Sequence, residues 1–124
     1  MSLHHLSSGE VMRLTPLGER MKDQPSTALL KTESLEVMRL VIKAGKSLPD
    51  HRVSGEVTIY CLEGKMELQA HEKTQLMQAG DLVYLAPMEV HALVALEDTS
   101  ALVTVLLYQG SASPLDAPES GQSD

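Results

Sequence analysis

No apolar run in this chain is long, and that limits what it can fold into. Leu35–Ala44 (LEVMRLVIKA) stops at Gly45, Glu56–Leu62 (EVTIYCL) at Glu63-Gly64, Leu76–Ala79 at Gly80-Asp81 and Leu82–Leu85 at Ala86-Pro87; His91–Leu96 and Ala101–Tyr108 complete the series. Lys65–Ala70 alternates, with Met66, Leu68 and Ala70 on one face and Lys65, Glu67 and Gln69 on the other. A period of two puts successive side chains on opposite faces of a pleated strand. Short strands spaced closely by Gly, Asp and Pro turns predict an all-β sandwich or barrel. A helix over Glu33–Ala44 competes, with Leu35, Met38, Val41 and Ile42 on one face. The β-branched residues of that segment and its stop at Gly45 favour the strand.

The 124 residues are enough for one domain and one core. Hydrophobic residues at 43% and charged residues at 22% give an ordinary globular balance. Ten Lys and Arg against seventeen Asp and Glu leave a formal charge of −7, which repels phosphate backbones and anionic headgroups and argues against nucleic-acid and membrane partners. There is no Trp or Phe to stack on single-stranded bases. Cys61 is the single cysteine, so no intrachain disulfide calls for an oxidising compartment. The first residues lack a basic stretch followed by a long apolar one, and the expectation is a cytoplasmic protein. The chain divides into an irregular segment over residues 1–27, an arm that a dimer could exchange, a β-barrel over 28–109, and a disordered acidic tail over 110–124, rich in Ser, Gly and Pro.

Two histidines stand in comparable surroundings. His51 follows GKSLPD and precedes RVSGEVTIYCLEG; His91 closes GDLVYLAPMEV. Each phrase joins a glycine turn, an apolar strand and a histidine. These phrases resemble the two motifs of the cupin superfamily, which implies a double-stranded β-helix, a jelly-roll barrel with its ligand cavity inside. Gly45, His51 and Gly64 fit the first motif, and Gly80, Pro87 and His91 fit the second. Of the ligands that metal-holding cupins use, the second histidine of the first motif is replaced by Val53 and the glutamate by Val57. Glu56 stands beside the glutamate position but points to the other face of a regular strand, and would turn inward only through a bulge at Gly55.

Two histidines are too few donors to hold a zinc, iron, manganese or nickel ion firmly, so the chain is expected to carry no cofactor. A divalent transition metal held by His51, His91 and a non-standard ligand is the alternative. The reading that follows is a small-molecule-binding or sensory protein whose pocket is lined by Val53, Val57, Ile59 and Cys61, with His51 and His91 as its polar handles. The alternative is a metal-dependent oxygenase or isomerase using those two histidines. Whether a reaction is catalysed is left open, and histidines packed inside a barrel for structural reasons alone fit the same pattern. The resemblance also implies a homodimer, and the apolar stretches Leu29-Leu30 and Leu35 onward offer an edge to be covered. Of the remaining candidates, Cys61 reads as a small buried hydrophobe, Arg39 as a side chain snorkelling to a surface carboxylate, and His71 as a surface residue.

Overall fold

The alternation in the sequence becomes an alternation in burial. A computed structural model describes residues 5–107. After a short 3-10 helix, Gly18–Asp23, come the strands β1 (Thr27–Lys31), β2 (Leu35–Ile42), β3 (Ser47–His51), β4 (Val57–Glu63), β5 (Lys65–Ala70), β6 (Lys73–Gln78), β7 (Leu82–Leu85), β8 (His91–Ala95) and β9 (Thr99–Leu106). They form two antiparallel sheets, in the orders β1-β2-β9-β4-β7 and β3-β8-β5-β6. No helix among the described residues is long and apolar enough to cross a membrane. The tail expected over 110–124 lies outside the described residues.

The inner faces of the two sheets meet in one core. Ile59 and Cys61 from β4, Met66 and Leu68 from β5, Leu93 from β8 and Val103 from β9 are all buried in it. Each large aliphatic side chain withdrawn from water here contributes about 2 kcal/mol. The β2–β9 ladder runs from Leu35↔Leu106 to Ile42↔Thr99 without a shift. Met38 and Leu40 therefore face the core, opposite Val103 and Ala101, whereas Arg39 faces outward beside Leu102. This ladder makes Leu35–Ile42 a strand and rules out the competing helix.

Two strands were not evident in the sequence, and both lie at sheet edges. β3 contains Pro49, which has no N–H to give a ladder; the strand pairs only with β8, and its register shifts between Leu48 and His51. β1 pairs only with β2, across a shift between Ala28 and Leu30. Leu29 is buried, and its carbonyl accepts the Leu6 N–H at 2.8 Å, so this apolar stretch is already covered by the chain's own N-terminal segment.

That segment is clipped to the outer face of the first sheet. The Glu63 carboxylate accepts the backbone N–H groups of Leu17 (2.8 Å) and Gly18 (3.0 Å) and the Ser100 hydroxyl (2.6 Å). Arg39 Nη2 donates to the Thr15 carbonyl at 2.6 Å, and Lys43 Nζ to that of Lys22 at 2.9 Å. Arg39 thus snorkels to a backbone carbonyl, and its Nε is buried with no hydrogen-bond partner among the described residues. Met21, in the 3-10 helix, is buried beneath the segment.

Burial alone would raise the Glu63 pKa, but the Leu17, Ser100 and Gly18 donors and the nearby Arg39 guanidinium outweigh it and hold the carboxyl below its usual value. A carboxyl with a depressed native pKa stabilises fully above its unfolded pKa, and the contribution is lost as pH falls through the native one. Glu63→Gln is accordingly expected to cost about 1 kcal/mol at neutral pH. The gap between wild type and variant in urea unfolding should close as the pH drops below 4.5, the ordinary glutamate value. A gap that stays constant into acid would show that Glu63 contributes by packing alone.

Candidate functional site

The loops β3–β4, β5–β6 and β7–β8 gather at one end of the barrel. The Met88 N–H donates to the Val53 carbonyl at 2.7 Å, joining the β7–β8 loop to the β3–β4 loop. The Leu106 N–H donates to the Glu56 carbonyl at 2.9 Å, and Gly55 lies so close to the Leu106 carbonyl that a Cβ would overlap it. At this end β3 and β8 bring the two histidines together in register: His51 and His91 are direct cross-strand partners, and Ala70 of β5 is the next neighbour of His91. The His51 side chain lies outside the described part of the structure.

His91 is 3% exposed, a buried imidazole on a strand whose other inward residues are Leu93 and Ala95. Its Nδ1 is 3.1 Å from the Glu89 carbonyl oxygen, a geometry in which Nδ1–H donates to that oxygen and fixes the ring's orientation. The Glu89 carboxylate, in turn, lies 3.1 Å from His71 Nε2. His71 is indeed a surface residue, but it also pins the β7–β8 loop to the β5–β6 turn.

Backbone strain collects here as well. The two residues of the β5–β6 turn, His71 (φ 55°) and Glu72 (φ 62°), and Met88 (φ 68°) in the β7–β8 loop, all sit in the left-handed region. A two-residue hairpin turn with both residues at positive φ prefers Asn-Gly. Keeping His-Glu there costs on the order of 1–3 kcal/mol per residue. Beside the turn, an open cleft of about 730 Å³ is lined by Asp50, His71, Glu72, Lys73, Glu89 and Val90. None of the apolar residues expected to line a pocket borders it.

Residues 38–108 match the family model described as the cupin domain. The chain belongs to the cupin family. Among solved structures it resembles a conserved protein of unknown function from Streptococcus pyogenes, at 19% identity and a TM-score of 0.70 over 88% of this chain and 99% of that one. It also resembles a cupin superfamily protein from Desulfitobacterium hafniense, at 16% identity and a TM-score of 0.71 over 84% and 99%. A third, salicylate 1,2-dioxygenase from Pseudoaminobacter salicylatoxidans, is 13% identical with a TM-score of 0.61 over 64% of this chain and 25% of that one. At these identities the likeness establishes the double-stranded β-helix fold. No curated protein matches the chain.

Valines occupy the two positions that the motif resemblance sets against metal ligands. Val57 is buried on the core face of β4, and Val53 is half-buried against the same core. Both offer alkyl groups where a cation needs donors. Glu56 does not replace them: its carboxylate accepts the Tyr84 hydroxyl at 2.6 Å on the exposed side of the sheet. Among the described residues, no three His, Cys, Asp or Glu side chains gather as a metal site.

The expected pocket residues run the length of the barrel. Val57 sits at the His91 end, Ile59 is buried midway, and Cys61 lies toward the opposite end, its thiol 3.6 Å from the Glu63 carbonyl and 3.9 Å from that of Gly64. Burial pushes the Cys61 thiol up, against the Glu63 backbone contact, with the charges of Asp81 and Glu63 adding to the rise. A thiol raised by burial is a poor nucleophile. Cys61 should therefore react with a disulfide reagent such as Ellman's only at the rate of unfolding, and fully once urea is added. Rapid labelling of the folded protein would contradict this placement.

Proposed function

We propose that this cupin binds a small, largely apolar molecule at the His91 end of its barrel and does so without a complete metal site. The observation that carries the reading is a buried imidazole, oriented by the Glu89 carbonyl, at the end where the loops meet. A polar group that burial makes costly is retained where it can meet a partner. His51, its cross-strand neighbour in the ladder, and His91 serve as polar handles. Val53 and Val57 supply the apolar wall, and Ile59 and Cys61 continue it toward the floor. The acidic surface and single reduced cysteine suit a cytoplasmic protein that engages neither nucleic acid nor membrane.

The test is chelation. Protein with His4 and His5 substituted, so that the terminus cannot scavenge metal, should carry substoichiometric metal and keep its Tm after EDTA treatment. A drop in Tm that one equivalent of a divalent ion restores would overturn the reading.

We also propose that the cupin is a homodimer, through the outer face of its first sheet. Leu82 is 66% exposed and Tyr84 56%, with Tyr60 and Leu106 also exposed. Thr58↔Tyr84 and Tyr60↔Leu82 place these β7 side chains beside the outward side chains of β4, making a mainly apolar patch in which Glu56, bonded to the Tyr84 hydroxyl, is the charged neighbour. Sedimentation velocity should give a dimer for the wild type and a monomer for Leu82→Glu. Identical behaviour of the two would exclude this face.

A further inference from the structure

The sequence offered no inward carboxylate to stand with the two histidines, and the register of β2 supplies one. Glu36 pairs with Val105 in an uninterrupted ladder in which Met38, Leu40 and Ile42 all pack toward the core. A strand's side chains alternate strictly, so Glu36 occupies the core-facing side. Val105, its partner, belongs to the core cluster and pairs in turn with Val57, which pairs with Leu85. One row, Glu36–Val105–Val57–Leu85, thus crosses the first sheet, and another, His51–His91–Ala70–Lys73, crosses the second.

Both rows lie at the same end of the barrel. The Val53–Met88 and Glu56–Leu106 backbone hydrogen bonds tie together the loops that follow His51, precede Val57 and His91, and the end of β9. β2, second from the edge of the first sheet, is followed directly by β3 at the edge of the second, so the chain folds back and carries His51 toward the level of Glu36. Among the β2 residues from 36 to 42 that face inward, Glu36 alone is charged. The residue is half-buried, and its carboxylate makes no hydrogen bond or ion pair with any described residue.

We propose that Glu36 is the charged handle of the ligand site and selects a small aliphatic primary ammonium ion. This rests on the small-molecule reading above and names the ligand's chemistry. A carboxylate on a half-buried residue, without a protein partner, gains most from a cation that also donates hydrogen bonds. The side chains on the same inner face beside it, Met38, Val105 and Val57, are apolar and would contact a short alkyl chain. The net charge of −7 draws cations toward the mouth and repels carboxylic acids of the same shape. The carboxylate enters from β2, two strands away from the β4 position now occupied by Val57.

The experiment titrates methyl-labelled protein with n-butylammonium chloride, n-butanol and sodium butyrate, following the Val57 and Val105 methyl signals by NMR. Butylammonium should shift them saturably, butyrate should not, and Glu36→Gln should weaken butylammonium binding about tenfold. Glu36→Asp, which keeps the charge with shorter reach, should fall between. Equal affinity of Glu36→Gln and wild type, or equal shifts by butanol and butylammonium, would overturn the role of Glu36 and leave small-molecule binding standing. Silence of these methyls toward all three probes would remove both. A Co²⁺ titration is the control: Co²⁺ that binds only with Glu36 intact and displaces butylammonium would make the site a metal centre and overturn the ammonium proposal.

Discussion

The unbroken ladder between β2 and β9 decides which side of the first sheet every neighbouring residue occupies. A slip of one position would turn Met38 and Leu40 to solvent and drive Arg39 into the core. Burying that guanidinium among Val103, Ile59 and Leu68 without a partner would cost several kcal/mol, so the sequence tolerates one register only. The outward placement of Arg39 beneath the N-terminal segment and the inward placement of Glu36 both follow from that choice. β9 then transmits it to β4, which sends Val57, Ile59 and Cys61 inward and Tyr60 outward.

Much of this could be read from the chain because the physical signals were local. Lys65–Ala70 alternates so cleanly that β5 has the bounds its sequence suggests, and β7 is likewise framed by Gly80-Asp81 and Ala86-Pro87. β1 and β3 escaped notice because edge strands need only one ladder. TALLK lacks a clear period, and SLPDH carries a proline that only an edge position tolerates. The inward, core-facing side of β4 at Val57 was legible from the alternation of its strand. The inward carboxylate of Glu36 was not, because a helix over the same residues would have assigned it a different face and only pairing with β9 fixes its side. The Glu63 anchor was equally hidden, since the backbone donors of Leu17 and Gly18 lie more than forty residues away along the chain.

The two ends of the barrel are finished differently. At the Cys61 end Gly64 (φ 92°) turns tightly against the Asp98 carbonyl, and the Thr99 hydroxyl donates to the Lys65 and Glu97 carbonyls, so backbone groups there are satisfied by short local bonds. At the His91 end three non-glycine residues hold unfavourable backbone angles, and the links between loops are single hydrogen bonds and one His–Glu contact. Strain of this kind concentrates where a protein meets its ligands and is offset by the better-packed remainder. The cupin fold hosts many chemistries, and this division of the barrel into a closed end and a strained one leaves loops free to vary without loosening the core.

The clip at Glu63 has a consequence for how the chain tolerates change. Its carboxylate grips the amide nitrogens of positions 17 and 18 and ignores what those residues carry as side chains. Almost any amino acid that keeps its N–H can stand there, so the leading segment is free to drift in composition while its path over the sheet is preserved. Proline is the exception: at either position it would erase a donor, leaving Glu63 to face Arg39 with one bond fewer and the leader free to peel away from the outer sheet.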